Sequence, residues 1–158
     1  MATTINEIDR AFLMMSRQDF LPLSSRYVNV FDAPLSIGYG QTCSQPSTVR
    51  MMLKWLDVKP GNKVLDIGSG SGWTTALLSV LVGERGSVFA VERIPKLVEF
   101  GAENCRRAGV KNARFFYAKE SVVGLPEHSP FDNILVSASG KKVSRKSTIA
   151  TSQLTSTQ

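Results

Sequence analysis

At 158 residues, 42% apolar and 20% charged, the chain has the composition of one folded domain with a core of its own, which excludes both a polyelectrolyte and two ordinary domains. Two cysteines, Cys43 and Cys105, and a single histidine, His128, exclude a disulfide framework, a zinc set and a Ser-His-Asp hydrolase. The net charge is +6, but Lys141, Lys142, Arg145 and Lys146 supply four of those charges after Gly140, with no acid among them; the rest of the chain offers no basic face and no nucleic-acid partner is expected.

Residues Met1 to Arg10 show no apolar run behind a basic start, so no secretory signal is expected there. Thr4, Ile5, Asn6 and Glu7 have the spacing of a capping box, and Ile8, Phe12, Leu13 and Met15 follow at helical intervals; this helix should end near Asp19, before Leu21 and Pro22. From Leu23 to Thr42 the chain reads as an irregular lead-in broken by Pro34, Gly38 and Gly40. Ser44, Gln45 and Pro46 mark a second helix start, with Val49, Met52, Leu53 and Leu56 on one face, and Lys59 to Asn62 form a turn.

The period then changes. Lys63–Ile67 is a short apolar strand that runs into glycines and then into a helix, Trp73–Leu81, which Gly83 can close. A strand at Ser87–Val91, a helix at Pro95–Ala108 closed by Gly109, and strands at Ala113–Ala118 and Asn133–Ser137 follow. The longest apolar run, Ala76–Val82, is far too short to span a bilayer. Lys141 to Gln158 is rich in Ser, Thr and Lys and reads as loop or disorder.

Strands alternating with helices at this spacing are βαβ units. The expectation is an α/β, Rossmann-like fold: a parallel sheet with helices on both faces. The chain divides into an N-terminal helical and lid region (1–62), a cofactor-binding core (63–140) and a polar basic tail (141–158). A cytoplasmic monomer with no membrane partner fits these features.

A strand that ends in glycines and opens a helix makes a ligand site, because glycine admits backbone angles closed to other residues and lets a ligand approach the main chain. The helix start adds unpaired N–H groups and a partial positive charge. The spacing here is Gly68, Gly70, Gly72, not the GxGxxG of dinucleotide binders, and Asp66 stands two residues before the first glycine. Glu92 follows the second strand of the core, where a carboxylate can accept hydrogen bonds from ribose hydroxyls. A nucleotide-type cofactor is expected; these features leave NAD(P) and S-adenosyl-L-methionine open and lean to the latter.

Four stretches of the sequence resemble the protein-L-isoaspartate (D-aspartate) O-methyltransferases. They are Asp32 to Pro46, with its Gly-Gln-Thr-Cys-Ser-Gln-Pro ending; Val64 to Gly72; Val91 to Ile94; and Gly124 to Asp132. The resemblance implies that Asp66, Gly68, Ser69, Gly70 and Ser71 hold the methionine part of S-adenosyl-L-methionine and that Glu92 binds the ribose. Thr42 and Ser44 fall on the hydroxyl positions of the acceptor site, where Ser44 would orient the substrate carboxylate. Ser44 also stands where a helix cap is expected. Glu120 falls on the acid that faces the adenine, but Lys119, Glu120 and Ser121 stand in place of a Gly-Asp-Gly, and Trp73 replaces a common Tyr. Near Ser139 the chain departs from a family pattern that continues into further strands, so the sheet is expected to be incomplete at its C-terminal end.

The implied reaction is methyl transfer to the α-carboxylate of L-isoaspartyl residues in damaged proteins, with isoaspartyl proteins or peptides as partners. A carboxylate with a pKa of roughly 3.5–4 is already ionised, so no general base is required. Two alternatives stay open: a shortened relative that binds cofactor with little or no turnover, and a methyltransferase for another acceptor.

Overall fold

The computed structural model describes residues 5–120 and 122–138. Thr4, Ser121 and the tail from 141 to 158 therefore lie outside the described residues, and with them the expected disorder of that tail.

The first helix, α1 (Glu7–Met14), is capped by Asn6, whose Oδ1 accepts from the Asp9 N–H at 2.9 Å. It stops at Met14, short of the expected Asp19, and a 3-10 turn at Arg17–Phe20 follows. A helical turn, α2 (Leu23–Arg26), leads to a feature absent from the sequence reading: an antiparallel hairpin of β1 (Leu35–Gly38) and β2 (Gln41–Cys43) inside the supposed irregular lead-in. Its tip is three consecutive residues with left-handed backbones, Gly38, Tyr39 and Gly40. Two of them are glycines, for which that region carries no Cβ penalty.

Next come α3 (Pro46–Leu56), with Pro46 in its first turn, then β3 (Lys63–Ile67), α4 (Trp73–Val82), β4 (Ser87–Glu92), α5 (Pro95–Arg107), β5 (Ala113–Tyr117) and β6 (Asn133–Val136). The four core strands are parallel in the order β5-β4-β3-β6, with Asp66 opposite Ala90 on one side and Leu135 on the other. The fold is the Rossmann-like α/β sheet expected from the βαβ pattern.

Strand alternation sorts the core into two layers. Val64, Val88, Leu135 and Phe115 face the side on which α1, α3, α4 and α5 all pack. Leu65, Phe89, Val91 and Ile134 face the other side, where the described cover is a loop carrying Leu125 and Phe131 with a 3-10 turn at Pro126–His128. The expectation is helices on both faces; among the described residues the α-helices pack on one.

One contact positions the ligand site. A Cβ at Gly72, on the turn after β3, would lie 2.7 Å from the Gly101 carbonyl oxygen in α5, and one at Gly101 would lie 2.9 Å from the Gly70 carbonyl oxygen and 3.0 Å from the Phe115 ring. The turn and α5 meet backbone to backbone. Asn104 then donates to the Ser71 carbonyl at 2.9 Å, and the Cys105 thiol donates to the Gly72 carbonyl at 3.3 Å.

Replacing an interior helical glycine by alanine ordinarily gains about 1 kcal/mol. For Gly101→Ala we expect the opposite sign, a loss of about 1–3 kcal/mol in urea unfolding, because the methyl group must push the turn off the helix. A stability gain would show that the turn moves away freely.

Candidate functional site

The chain turns sharply after Ile67. Gly68, Gly70 and Gly72 have φ of 87°, 50° and 83°. The Gly68 and Ser69 N–H groups both donate to the Val91 carbonyl, at 2.8 and 3.2 Å, and the Gly72 N–H donates to the Ser69 carbonyl at 2.8 Å. The turn is therefore pinned to the end of the neighbouring strand before it opens α4.

That strand end carries Glu92. Its Oε2 accepts from the Gly70 N–H at 3.1 Å, and its Oε1 accepts from the Arg93 and Ile94 N–H groups at 2.8 and 3.0 Å. Three backbone donors fix a nearly buried carboxylate across the mouth of the turn.

Above lies a cleft of about 410 Å³. The turn and Glu92 form its floor, Ala118 with Val122, Val123 and Gly124 one wall, and the hairpin the other, through Ile37, Gln41, Thr42 and Ser44. A small side pocket of about 30 Å³ opens beside it at the start of α4, lined by the hydroxyl residues Thr42, Ser44, Ser69, Ser71, Thr74 and Ser137. The buried Ser69 and Ser137 Oγ atoms have no hydrogen-bond partner among the described residues. Unpaired buried hydroxyls are costly, and a polar ligand offsets that cost.

The structure brings together Thr42, Ser44, Gly68, Ser69, Gly70, Ser71 and Glu92 around these two spaces. It leaves two expected residues apart. Glu120 is exposed beyond β5 and lines neither space, while its neighbour Lys119 pairs with Glu127 at 3.2 Å. Asp66 is fully buried behind the turn, on the helix side of the sheet. Its Oδ2 accepts from the Thr75 hydroxyl at 2.7 Å, and its Oδ1 has no partner among the described residues. Burial pushes the Asp66 carboxyl up to about 6, against the pull of Thr75 and with a further push from the charge of Glu92.

Ser44 is not a helix cap. The residue preceding α3 is Gln45, which makes no capping bond, and the Ser47 N–H is instead taken by Asp32 Oδ1 at 2.9 Å. The Ser44 hydroxyl is left to the cleft. His128 sits on the opposite face of the sheet, its ring centroid 5.0 Å from those of Phe89 and Phe116. Sequence reasoning missed Ile37, Ser137, Gly101 and Asn104; a glycine in the middle of a 13-residue helix was the available signal for Gly101.

A family model described as Protein-L-isoaspartate(D-aspartate) O-methyltransferase matches residues 2–156. The protein-L-isoaspartate O-methyltransferase of Aeropyrum pernix is 42% identical over 139 residues, covering 88% of this chain and 54% of the relative. That of Pyrococcus horikoshii is 44% identical, over 87% of this chain and 61% of the relative, and that of Fervidobacterium nodosum is 39% identical, over 89% and 70%. The chain spans little more than half the length of the first two. Among solved structures, a protein-L-isoaspartate O-methyltransferase superposes with a TM-score of 0.71 at 36% identity, over 84% of this chain and 43% of its own. A Plasmodium falciparum beta-aspartate methyltransferase in complex with S-adenosyl-L-homocysteine superposes with a TM-score of 0.75 at 25% identity, over 91% and 71%. Among the described residues, no helix is long and apolar enough to cross a membrane, and no His/Cys/Asp/Glu group could hold a metal ion.

Folded, Asp66 keeps its proton up to about pH 6; unfolded, it releases the proton near the ordinary value of 3.8. Between those values the native state binds more protons, so the contribution of Asp66 to stability falls as pH rises from about 4 to about 6 and stays low above. Asp66→Asn removes the titration and keeps an oxygen for the Thr75 hydroxyl. We expect it to be more stable than the native chain by about 2–3 kcal/mol at pH 7.5, with the gap closing toward pH 4, in paired urea unfolding curves. A gap independent of pH would show that burial does not hold the proton on Asp66.

Proposed function

We propose, since the chain belongs to the protein-L-isoaspartate(D-aspartate) O-methyltransferase family, that its cleft binds S-adenosyl-L-methionine and directs a methyl group to the α-carboxylate of an L-isoaspartyl residue. One observation carries the reading. Glu92, tied to the glycine turn, and the Thr42 and Ser44 hydroxyls of the hairpin wall the same cleft, so donor-binding and acceptor-binding groups face one space.

The residues present fit the cofactor. The turn leaves a backbone cradle in which a Cβ at Gly70 would already approach Ile37 Cδ1 to 3.1 Å. The hydroxyl-lined side pocket, with its unpaired Ser69 Oγ, suits the carboxylate and ammonium of a methionine end, and Ser71 lines the same pocket. A carboxylate offers about four acceptor sites, and three of those on Glu92 are occupied, which leaves one on Oε2 for a ribose hydroxyl. Asp66 would act from behind the turn, fixing its shape through Thr75. When bound, the cofactor supplies a methyl group made electrophilic by its sulfonium.

The chain's own part is binding, orientation and exclusion of water. Ser44 and Thr42 donate to the acceptor carboxylate and aim one of its oxygens along the cleft. That oxygen is ionised at neutral pH and needs no base. His128, packed against Phe89 and Phe116 on the far face, is consistent with a site that moves no proton. Ile37 covers Gly70 and keeps solvent from the floor of the cleft. The partners of this reading are isoaspartyl proteins and peptides met by a monomer.

A second reading, donor binding without turnover, draws on the position of Glu120. With that acid outside the cleft, the wall beyond β5 is formed by Ala118, Val122 and Val123, with no carboxylate among them. A methylation assay with an isoaspartyl peptide and its aspartyl twin separates the two. The proposed function expects methylation of the first peptide only; binding of S-adenosyl-L-homocysteine with neither peptide methylated would favour the second reading.

Within the active reading, Ser44→Ala is expected to lower kcat about 10-fold to 100-fold while calorimetric donor affinity stays within about twofold. Glu92→Ala is expected to weaken that affinity at least about tenfold, equivalent to about 1.4 kcal/mol. Unchanged affinity in the Glu92 variant would remove that residue from the donor site.

A further inference from the structure

A buried guanidinium is an expensive feature, and none of the ion pairs among the described residues involves Arg17. The residue is 4% exposed. Its Nη2 donates to the Ala33 carbonyl at 2.7 Å and to the Cys43 carbonyl at 2.9 Å, and its Nη1 to the Phe31 carbonyl at 3.4 Å. The Nε atom has no partner among the described residues. The guanidinium carbon also lies 5.6 Å from the centroid of the Trp73 ring.

These contacts join three parts of the chain that are distant in sequence. Cys43 is the last residue of β2, between Thr42 and Ser44. Trp73 is the first residue of α4, directly after the glycine turn, and its indole N–H donates to the Met15 carbonyl at 2.9 Å, two residues before Arg17. Phe31 and Ala33 flank Asp32, the residue that takes the Ser47 N–H at the start of α3. One planar donor set therefore holds the acceptor strand, the loop that caps α3 and the base of the donor turn. Lysine cannot reproduce that fork, since its ammonium is a point charge on a flexible stem.

We propose that Arg17 is a positioning residue for the acceptor: it fixes β2, which carries Thr42 and leads directly into Ser44, at one spacing from the glycine turn. The proposal rests on the reading of the cleft given above. Arg17 lines neither the cleft nor its side pocket, so its effect passes through the hairpin and not through contact with a ligand.

The test compares the native chain with Arg17→Lys and Arg17→Met by three measurements: calorimetric affinity for S-adenosyl-L-homocysteine, kcat and acceptor KM on an isoaspartyl peptide, and amide hydrogen exchange. For Arg17→Met we expect donor affinity within about twofold, exchange at residues 41–44 at least about tenfold faster with residues 68–72 unchanged, and kcat/KM down about 100-fold, with acceptor KM raised. Arg17→Lys should fall between. The proposal is overturned by unchanged exchange at 41–44, by equal losses of donor affinity and acceptor kcat/KM, or by unfolding of Arg17→Lys, which would make the residue a support of the whole fold. Should the native chain bind donor and methylate no peptide, the acceptor reading fails by itself, and the exchange and donor measurements still decide whether Arg17 sets the hairpin.

Discussion

The glycine turn and α5 come so near each other that a side chain on Gly72 would strike the Gly101 backbone and one on Gly101 the Gly70 backbone, and the rest of the site is arranged around that approach. It lets α5 lie directly against the turn, which brings Asn104 and Cys105 within reach of the Ser71 and Gly72 carbonyls. The Ser71 carbonyl shares its peptide plane with the Gly72 N–H, which donates to the Ser69 carbonyl at 2.8 Å. That carbonyl shares its plane in turn with the Gly70 N–H, which meets Glu92. The position of the Glu92 carboxylate thus depends on a missing Cβ in a helix that never touches the cleft. Preorganisation of this kind lowers the ordering cost of binding a ligand.

The same arrangement has an electrostatic cost. Asp66 lies fully buried behind the turn with one hydroxyl donor and one unpaired oxygen, and Glu92 adds a second negative charge nearby. The shift is large enough to matter near neutral pH, and burial, helped by the charge of Asp66, pushes the Cys105 thiol up to about 12, which leaves that cysteine a neutral packing group and weak donor. A fold selected for stability alone would place an apolar residue here. Retaining two close carboxylates fits a site that receives a cationic ligand, where their combined field is offset by the ligand's charge.

Legibility in the sequence followed the range of the interactions involved. The strands, the glycine turn and the helices from Lys63 onward were readable because each boundary is a local event: an apolar run, then glycine, then a helix period. Expected and observed ends there differ by a residue or two. The hairpin was not readable, since strands of four and three residues show barely one alternation, and the side-chain bonds to it come from Ser25 and from Arg17, 26 positions before Cys43. Ser44 was ambiguous for a related reason. A hydroxyl before Pro46 suggests a cap, but the donor it would have taken goes to Asp32, 15 residues before Ser47, and no local pattern predicts that substitution. Asp66 was recognised as part of the turn, yet its side is set by strand alternation: it shares the helix face with Val64, while Leu65 faces the other layer.

Position 73 links these points. The resemblance marks it as a place where family members commonly carry tyrosine, a mild change by chemistry. In the fold, the Trp73 ring is buried edge-on against Phe12 at 5.4 Å, its N–H reaches the Met15 carbonyl, and Arg17 lies beside it. A buried Trp contributes through apolar area and one directed donor, and here the donor ties the start of α4 to the segment between α1 and the hairpin. The helix that opens from the glycine turn is therefore joined, through one indole, to the segment from which Arg17 reaches the end of β2.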